Sequence, residues 1–440
     1  MNTPLIAGWT LLWLSSCGGL RTVNNAENTE DVLAQIGTEY VKLVLAVGQH
    51  DGDYVDAYYG PPEWQVEAAK NNTALDALAI RASKLGARIS AADARASGTD
   101  ELSRLRQRYL ETQLRSVAAR IALLNGQHMS FDEEAKALYD AEPPVHPDAY
   151  FQERIDRLET LLPGTGTLLE RYTAFKQAYV IPKEKLDTVF KAAIAECQKR
   201  TSRYVELPAN ESFTVEYVTD KSWSGYNWFK GNAHSLIQVN TDLPIYIDRA
   251  IDLACHEGYP GHHVYNALLE KHLVRDRGWL EFSVYPLFSP QSLIAEGTAN
   301  YGIAVAFPGD TRIAFEREVL FPLAGLDPAT AERYYKVENE ASVLSYAGNE
   351  AARRYLNGDI DAEAAARHLM KYALMTAERA AQRVRFIDQY RSYVINYNFG
   401  QDLVRQWVEK QAGTDPERIW AAFQRLLSSP RLPGDLQADT

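Results

Sequence analysis

Apolar residues recur every three or four positions along most of the chain. Between Asp31 and Val47 they fall at Val32, Ile36, Tyr40 and Leu43, which predicts an amphipathic helix. Two long helices are expected over 73–127, the second from Glu101 to Leu124 and rich in Arg and Leu. Ser130 to Glu133 has the pattern of a capping box opening another helix. Glu142-Pro143-Pro144 marks a loop, and two more helices follow. The second of them begins at Pro182, whose fixed φ suits a first helical turn. Asp327-Pro328 and Asp415-Pro416 carry the same start signal, with Asp as the cap. The acidic and aromatic stretch from Asp51 to Pro62 ends in Gly60-Pro61-Pro62 and reads as a capped loop between helices rather than a cleft wall.

The pattern changes near residue 205. Phe213 to Val218 alternates and is β-branched, a strand signal, and Ser235 to Val239 is a second strand. Between them Trp223 to Phe229 is aromatic and punctuated by glycine. Helical period returns from Ile245 to Glu257, so a strand feeds directly into a helix. The expected fold is mainly α, a two-lobed helical arrangement with a small β-sheet beside one helix. Three regions follow: a leader and tether over 1–29, an N-terminal helical region over 30–204, and a third region over 205–440.

Composition narrows the partners. The 440 residues carry 46 Lys and Arg against 58 Asp and Glu, a net charge of -12, so the basic footprint that nucleic acid needs is missing. Three cysteines make no disulfide framework, and Cys255 reads as core filler. Residues 5–14 are apolar but too short to span a bilayer, which takes about 20 residues. They fit the apolar part of a secretion signal. Leu14-Ser15-Ser16-Cys17-Gly18 resembles the bacterial lipobox, in which cleavage leaves the cysteine as a lipid-modified N-terminus. No Lys or Arg precedes the apolar run, a departure from the usual signal. The expectation is export to the bacterial cell envelope, with the membrane touched only through lipid on Cys17.

The chemistry concentrates in 252–263, where His256-Glu257 is followed by His262 and His263. Imidazole is the commonest side-chain ligand for zinc, and a glutamate beside a ligand can serve as general base toward water. Pro260 stands where the second His of H-E-x-x-H would be. On a straight helix His262 would lie about 240° around from His256, and His263 about 10.5 Å further along. Pro260-Gly261 makes a straight helix untenable. If those two residues bulge out, His262 regains the place one turn after His256, which favours His262 over His263 as the second ligand. The third ligand is expected at Glu296, a lone carboxylate among Leu293, Ile294, Ala295 and Ala299 that is costly to bury unless paired or metal-bound. Asn300, one turn on, could orient a ligand His through its other ring nitrogen.

His-Glu with a downstream helical Glu-Gly-x-Ala resembles the gluzincin metallopeptidases. His256-Glu257-x-x-Pro260-Gly261-His262-His263 with Glu296-Gly297 is more closely similar to a bacterial family known as a domain of unknown function and grouped with those peptidases. The resemblance covers roughly 205–440. It implies a Zn2+ cofactor on His256, His262 and Glu296, with Glu257 activating the water that hydrolyses a peptide substrate. It implies that the 235–239 strand is an edge that pairs with substrate, so that Gly231, Asn232, Ala233 and His234 border the cleft. It also implies an electrophilic partner for the oxyanion from the C-terminal part, with Tyr346, Arg391, Tyr393 and Tyr397 as candidates. The 390–400 segment is preferred, because Asn396 to Gly400 reads as a loop at a cleft; Tyr397 is then the catalytic candidate and Arg391 a substrate contact. The spaced second His departs from the standard gluzincin pattern. So does Asn300, which stands where gluzincins often have Asp. A helical two-lobed shape suggests short peptides by analogy. The alternatives are an exported binding lipoprotein without activity and a metallohydrolase of other amides.

Overall fold

The computed structural model describes residues 29–93, 100–221 and 223–439. Cys17 and the whole 1–28 segment lie outside the described residues. Helix accounts for 69% of the chain and the sheets are small, so the fold is mainly α.

The helices start where local chemistry places them. Ser130 accepts from the Glu133 backbone N–H while the Glu133 carboxylate reaches back to Ser130, closing the expected capping box. Thr167 and Glu170 form a second one. Asp327 and Asp415 cap their helices by accepting from Ala329 and Arg418 N–H. Pro182 caps a short 3-10 turn, Lys183–Lys185, and the α-helix proper runs Leu186–Thr201.

Among the described residues, five short strands make two sheets: Val55–Tyr58 (β1), Ser212–Val218 (β2), Gly225–Phe229 (β3), His234–Asn240 (β4) and Val284–Pro286 (β5). β1 pairs antiparallel with β5, and the other sheet has the order β2-β4-β3, with β2 parallel and β3 antiparallel to β4. The expected strands at 213–218 and 235–239 are β2 and β4. However, β4 is the central strand and not an edge, because β2 and β3 saturate it on both sides. The aromatic stretch supplies the edge strand, β3. The Asp51–Pro62 stretch is not simply a loop either, since β1 lies within it.

One apolar cluster runs from Leu33 to Leu436. Cys255 is fully buried within it, against Cys197. Polar contacts tie the N-terminal helices to the segment leading toward Glu296. Buried Arg106 forks onto buried Glu281 through Nε and Nη2, at 2.5 and 3.1 Å. The Tyr109 hydroxyl donates to Gln291, and Ser116 donates to the Phe288 carbonyl.

The helices Pro290–Ala306 and Ile395–Ala412 meet backbone to backbone. A Cβ on Gly297 would sit 2.4 Å from the Gly400 carbonyl oxygen, so only glycine permits the approach. The loop expected at 396–400 is therefore helical: Gly400 is there for close packing, not for a break.

Candidate metal centre

The helix that carries His256 is interrupted rather than bulged. Asp248–Leu253 is α-helical, and Ala254–Gly258 widens into a π-turn. Tyr259 N–H donates to Ala254 O, and Gly261 N–H reaches Cys255 O at 2.9 Å. A new helix, His262–Leu269, starts immediately after. A Cβ on Gly261 would lie 1.9 Å from the His256 carbonyl oxygen, so the turn exists only with glycine there. Pro260 lacks an N–H and joins two helices that need none from it. This turn brings His262 beside His256.

The two imidazoles face each other with their Nε2 atoms 3.1 Å apart. Glu296 completes the cluster, with Oε2 3.3 Å from His256 Nε2 and Oε1 3.7 Å from His262 Nε2. Three ligands bound tetrahedrally at about 2.0–2.1 Å would stand about 3.3 Å apart, which is this spacing. Glu257 also approaches: ligand atoms of His256, Glu257 and His262 all lie within 4.8 Å of one another. Glu296 Oε2 is buried without a hydrogen-bond partner among the described residues, while Oε1 accepts from the Tyr393 hydroxyl at 2.8 Å. A buried carboxylate oxygen 3.3 Å from a ligand-type ring nitrogen, with no donor of its own, fits a cation. Among the described residues, this cluster could hold a metal.

Asn300 takes the expected position. Its Nδ2 donates to the Tyr397 carbonyl at 3.1 Å, which fixes the amide so that Oδ1 faces His256 Nδ1, also at 3.1 Å. That oxygen can only accept, so Nδ1 carries the proton and Nε2 keeps its lone pair for a ligand. His263 is excluded from the centre. It is fully buried, with Nδ1 against the Ser235 hydroxyl and Nε2 donating to Glu211 at 2.8 Å. It pins the turn to the sheet.

Burial works against a charged His262, but contact with Glu296 overrides it and pushes its pKa up to about 9. Burial would raise Glu296, yet close contact with His256 and His262 holds its carboxyl well below the usual range. Asp56, on β1, is pushed up to about 6 by burial first; the Tyr226 hydroxyl and His262 pull it down, and Glu296 and Glu257 push it up. Tyr226, on β3, donates its hydroxyl to Asp56.

These groups open into a cavity of about 1510 Å³. Its walls include His256, Glu257, His262, Glu296, Asn300 and Tyr397, together with β3 and the start of β1. β3 holds Glu257 in place: Asn227 Nδ2 donates to the Glu257 carbonyl at 2.7 Å, and a Cβ on Gly225 would meet Glu257 Oε1 at 2.9 Å. Tyr346, Tyr393 and Tyr397 also line the cavity. The Tyr346 hydroxyl donates to Asp402 and that of Tyr393 to Glu296, whereas the Tyr397 hydroxyl makes no hydrogen bond among the described residues.

Three expected cleft contacts lie elsewhere. The Asn232 and Ala233 N–H groups donate to the buried Glu270 carboxylate at 2.8 Å each, closing the turn between β3 and β4. Since β4 is central, Gly231 to His234 sit at its far end and not on the cavity wall. Arg391 is bound to the buried Glu134 at 2.6 Å and does not reach the cavity. Asp56 and Tyr226 were missed because their partnership joins segments 170 residues apart.

No family model matches the sequence, and no curated protein matches it. Among solved structures, a candidate lipoprotein from Colwellia psychrerythraea aligns with a TM-score of 0.49 at 14% identity, covering 84% of this chain and 70% of that one. A candidate lipoprotein of unknown function from Shewanella oneidensis gives 0.46 at 13%, covering 85% and 74%. Pyrococcus furiosus carboxypeptidase gives 0.46 at 12%, covering 93% of each chain. These are remote similarities from which no residue role follows. No helix among the described residues is long and apolar enough to cross a membrane.

Proposed function

We propose that this protein is a zinc-dependent peptidase of short peptides, exported to the cell envelope and held there by lipid on Cys17. The observation that carries the reading is the cluster of His256, His262 and Glu296, with contacts of 3.1, 3.3 and 3.7 Å and an orphaned carboxylate oxygen. Two imidazoles and one carboxylate are a donor set suited to catalytic zinc, which leaves a fourth position open. Zinc, when bound, supplies Lewis acidity toward a scissile carbonyl and toward water.

The rest is the work of the chain's own side chains. Glu257 is buried beside both imidazoles and its carboxylate has no hydrogen bond among the described residues. It takes the proton of the attacking water and passes it to the departing amine nitrogen. Tyr397 has an uncommitted hydroxyl in the cavity and donates it to the oxygen on which charge develops. The outer edge of β3 is the wall along which an extended substrate backbone runs, a role the 235–239 strand cannot take.

The test combines metal content with turnover. Purified protein should hold close to one zinc per chain and digest a peptide library. Glu257→Gln should keep the zinc and lose turnover by about 10²–10⁴-fold. Zinc well below stoichiometric, or cleavage that survives in Glu257→Gln, would sink this mechanism. Full zinc with no peptide cleaved would make the protein a binding module or a hydrolase of other amides.

A further inference from the structure

Most charged side chains on the cavity wall are already paired. Lys176 bridges Asp248 and Glu338, Arg249 pairs with Asp252, Arg312 with Asp252 and Glu316, and Arg405 with Asp402. Arg379 is exposed to water. Arg383 is different. It lines the cavity from the helix Ala377–Tyr390, is half-buried, and makes no ion pair or hydrogen bond among the described residues. Its Nε is fully enclosed and has no acceptor. The guanidinium carbon sits 4.7 Å from the Phe386 ring, which holds its plane but supplies no lone pair. Burial pulls its pKa down, and the Tyr397 phenol pushes it back up. A guanidinium stays charged in such a setting, so its positive charge lies in the wall without a counter-charge, beside the residue assigned to the oxyanion.

We infer that Arg383 receives a carboxylate of the bound ligand, so that the cleft selects peptides presenting a negative group on the Tyr397 side of the metal centre. The inference takes its ligand class from the peptidase reading, though its test needs no turnover. Arginine offers donors in a planar fork that matches a carboxylate, and an amide of the same shape cannot supply the charge. The carboxylate can be a peptide C-terminus or an acidic side chain.

Binding to full-length Glu257→Gln protein, as purified and after chelation, separates these sources. The probes are N-acetyl-Ala-Phe against its C-terminal amide, and N-acetyl-Ala-Glu-amide against N-acetyl-Ala-Gln-amide. Calorimetry should show at least one acid binding about tenfold or more tightly than its neutral twin, the scale of a charge-assisted hydrogen bond. The pair that shows it identifies the source. Adding Arg383→Gln should shrink the ratio to below about twofold while the neutral peptide binds as before, and Arg383→Lys should keep part of it. A variant that fails to fold would lose the neutral peptide too, and the lysine variant then carries the test. No acid preference in either pair, or one that persists in Arg383→Gln, overturns the assignment. Cleavage of the peptide library by the Glu257 enzyme is scored separately: its absence would end the peptidase reading and leave the affinity ratio standing.

Discussion

Replacing Asn300 tests how the centre holds its metal. Asn300→Ala removes two hydrogen bonds of 3.1 Å, one to His256 Nδ1 and one to the Tyr397 carbonyl. Loss of the first frees the imidazole to rotate and to place its proton on Nε2, where a ligand needs a lone pair. Such a loss weakens metal binding by about 10–100-fold, or about 1.4–2.7 kcal/mol. Asn300 lines the cavity, so water can replace its oxygen, which places the effect near the lower end, at about tenfold. Asn300→Asp sharpens the measurement. Both variants lose the bond to Tyr397, but Asp restores an acceptor to His256 and adds charge. Zinc affinity, measured by competition with a chromogenic chelator at fixed pH, should fall in the order Asp at or above Asn, then Ala. An Ala variant within about twofold of the parent, or an Asp variant weaker than Ala, would refute the role given to this contact.

His262→Ala should abolish stoichiometric metal binding, whereas His263→Ala should keep the metal and lose about 2–4 kcal/mol of stability, since a buried side chain with two hydrogen bonds goes; metal content and denaturant titration of both variants distinguish them. Gly261→Ala should cost upwards of about 3 kcal/mol and deplete the metal, because the new Cβ meets the His256 carbonyl oxygen at 1.9 Å; an unchanged Tm with full metal would contradict the turn's role. Asp56 gives a pH signature in chelated protein. Its folded pKa, about 6, is raised from an ordinary 3.8, so the native state binds the proton more tightly. The associated stability is present below pH 3.8 and is lost as pH rises to 6, after which the slope vanishes. Asp56→Asn should remove that slope and raise stability above pH 6 by about 1–2 kcal/mol, allowing for solvent at a half-buried group.

Local signals carried the helix starts at Ser130, Asp327 and Asp415, because caps act within three residues and all three bond to their own first turn. The two strands with clear alternation were legible for the same reason. β3 was not, because aromatic side chains occupy both of its faces, with Tyr226 and Trp228 on one and Phe229 on the other, so polarity does not alternate. β1 was hidden because its partner lies more than 200 residues away, in β5. At the site, the bulge argument led to His262 since Pro260-Gly261 is incompatible with a straight helix, although the structure resolves it as a π-turn and a restart. Asn232, Ala233 and Arg391 were misplaced by a single error of topology or pairing each: β4 lies inside its sheet, and Arg391 answers a buried Glu134 that nothing nearby in sequence announces. Arg383 has no sequence signal at all, since what marks it is the lack of a partner in three dimensions.

The glycine contact between residues 297 and 400 sets how the cleft can move. Glu296 precedes one of these glycines, and Tyr393 and Tyr397 lie within two turns of the other. With no side chain between the two backbones, there is nothing to slide or repack, and the helices behave as one plate. The carboxylate ligand and the phenols around it therefore travel together. On the proposed reading, any widening of the cavity would come from the wall built by β3 and β1, which leaves the Glu296 side a fixed half-site.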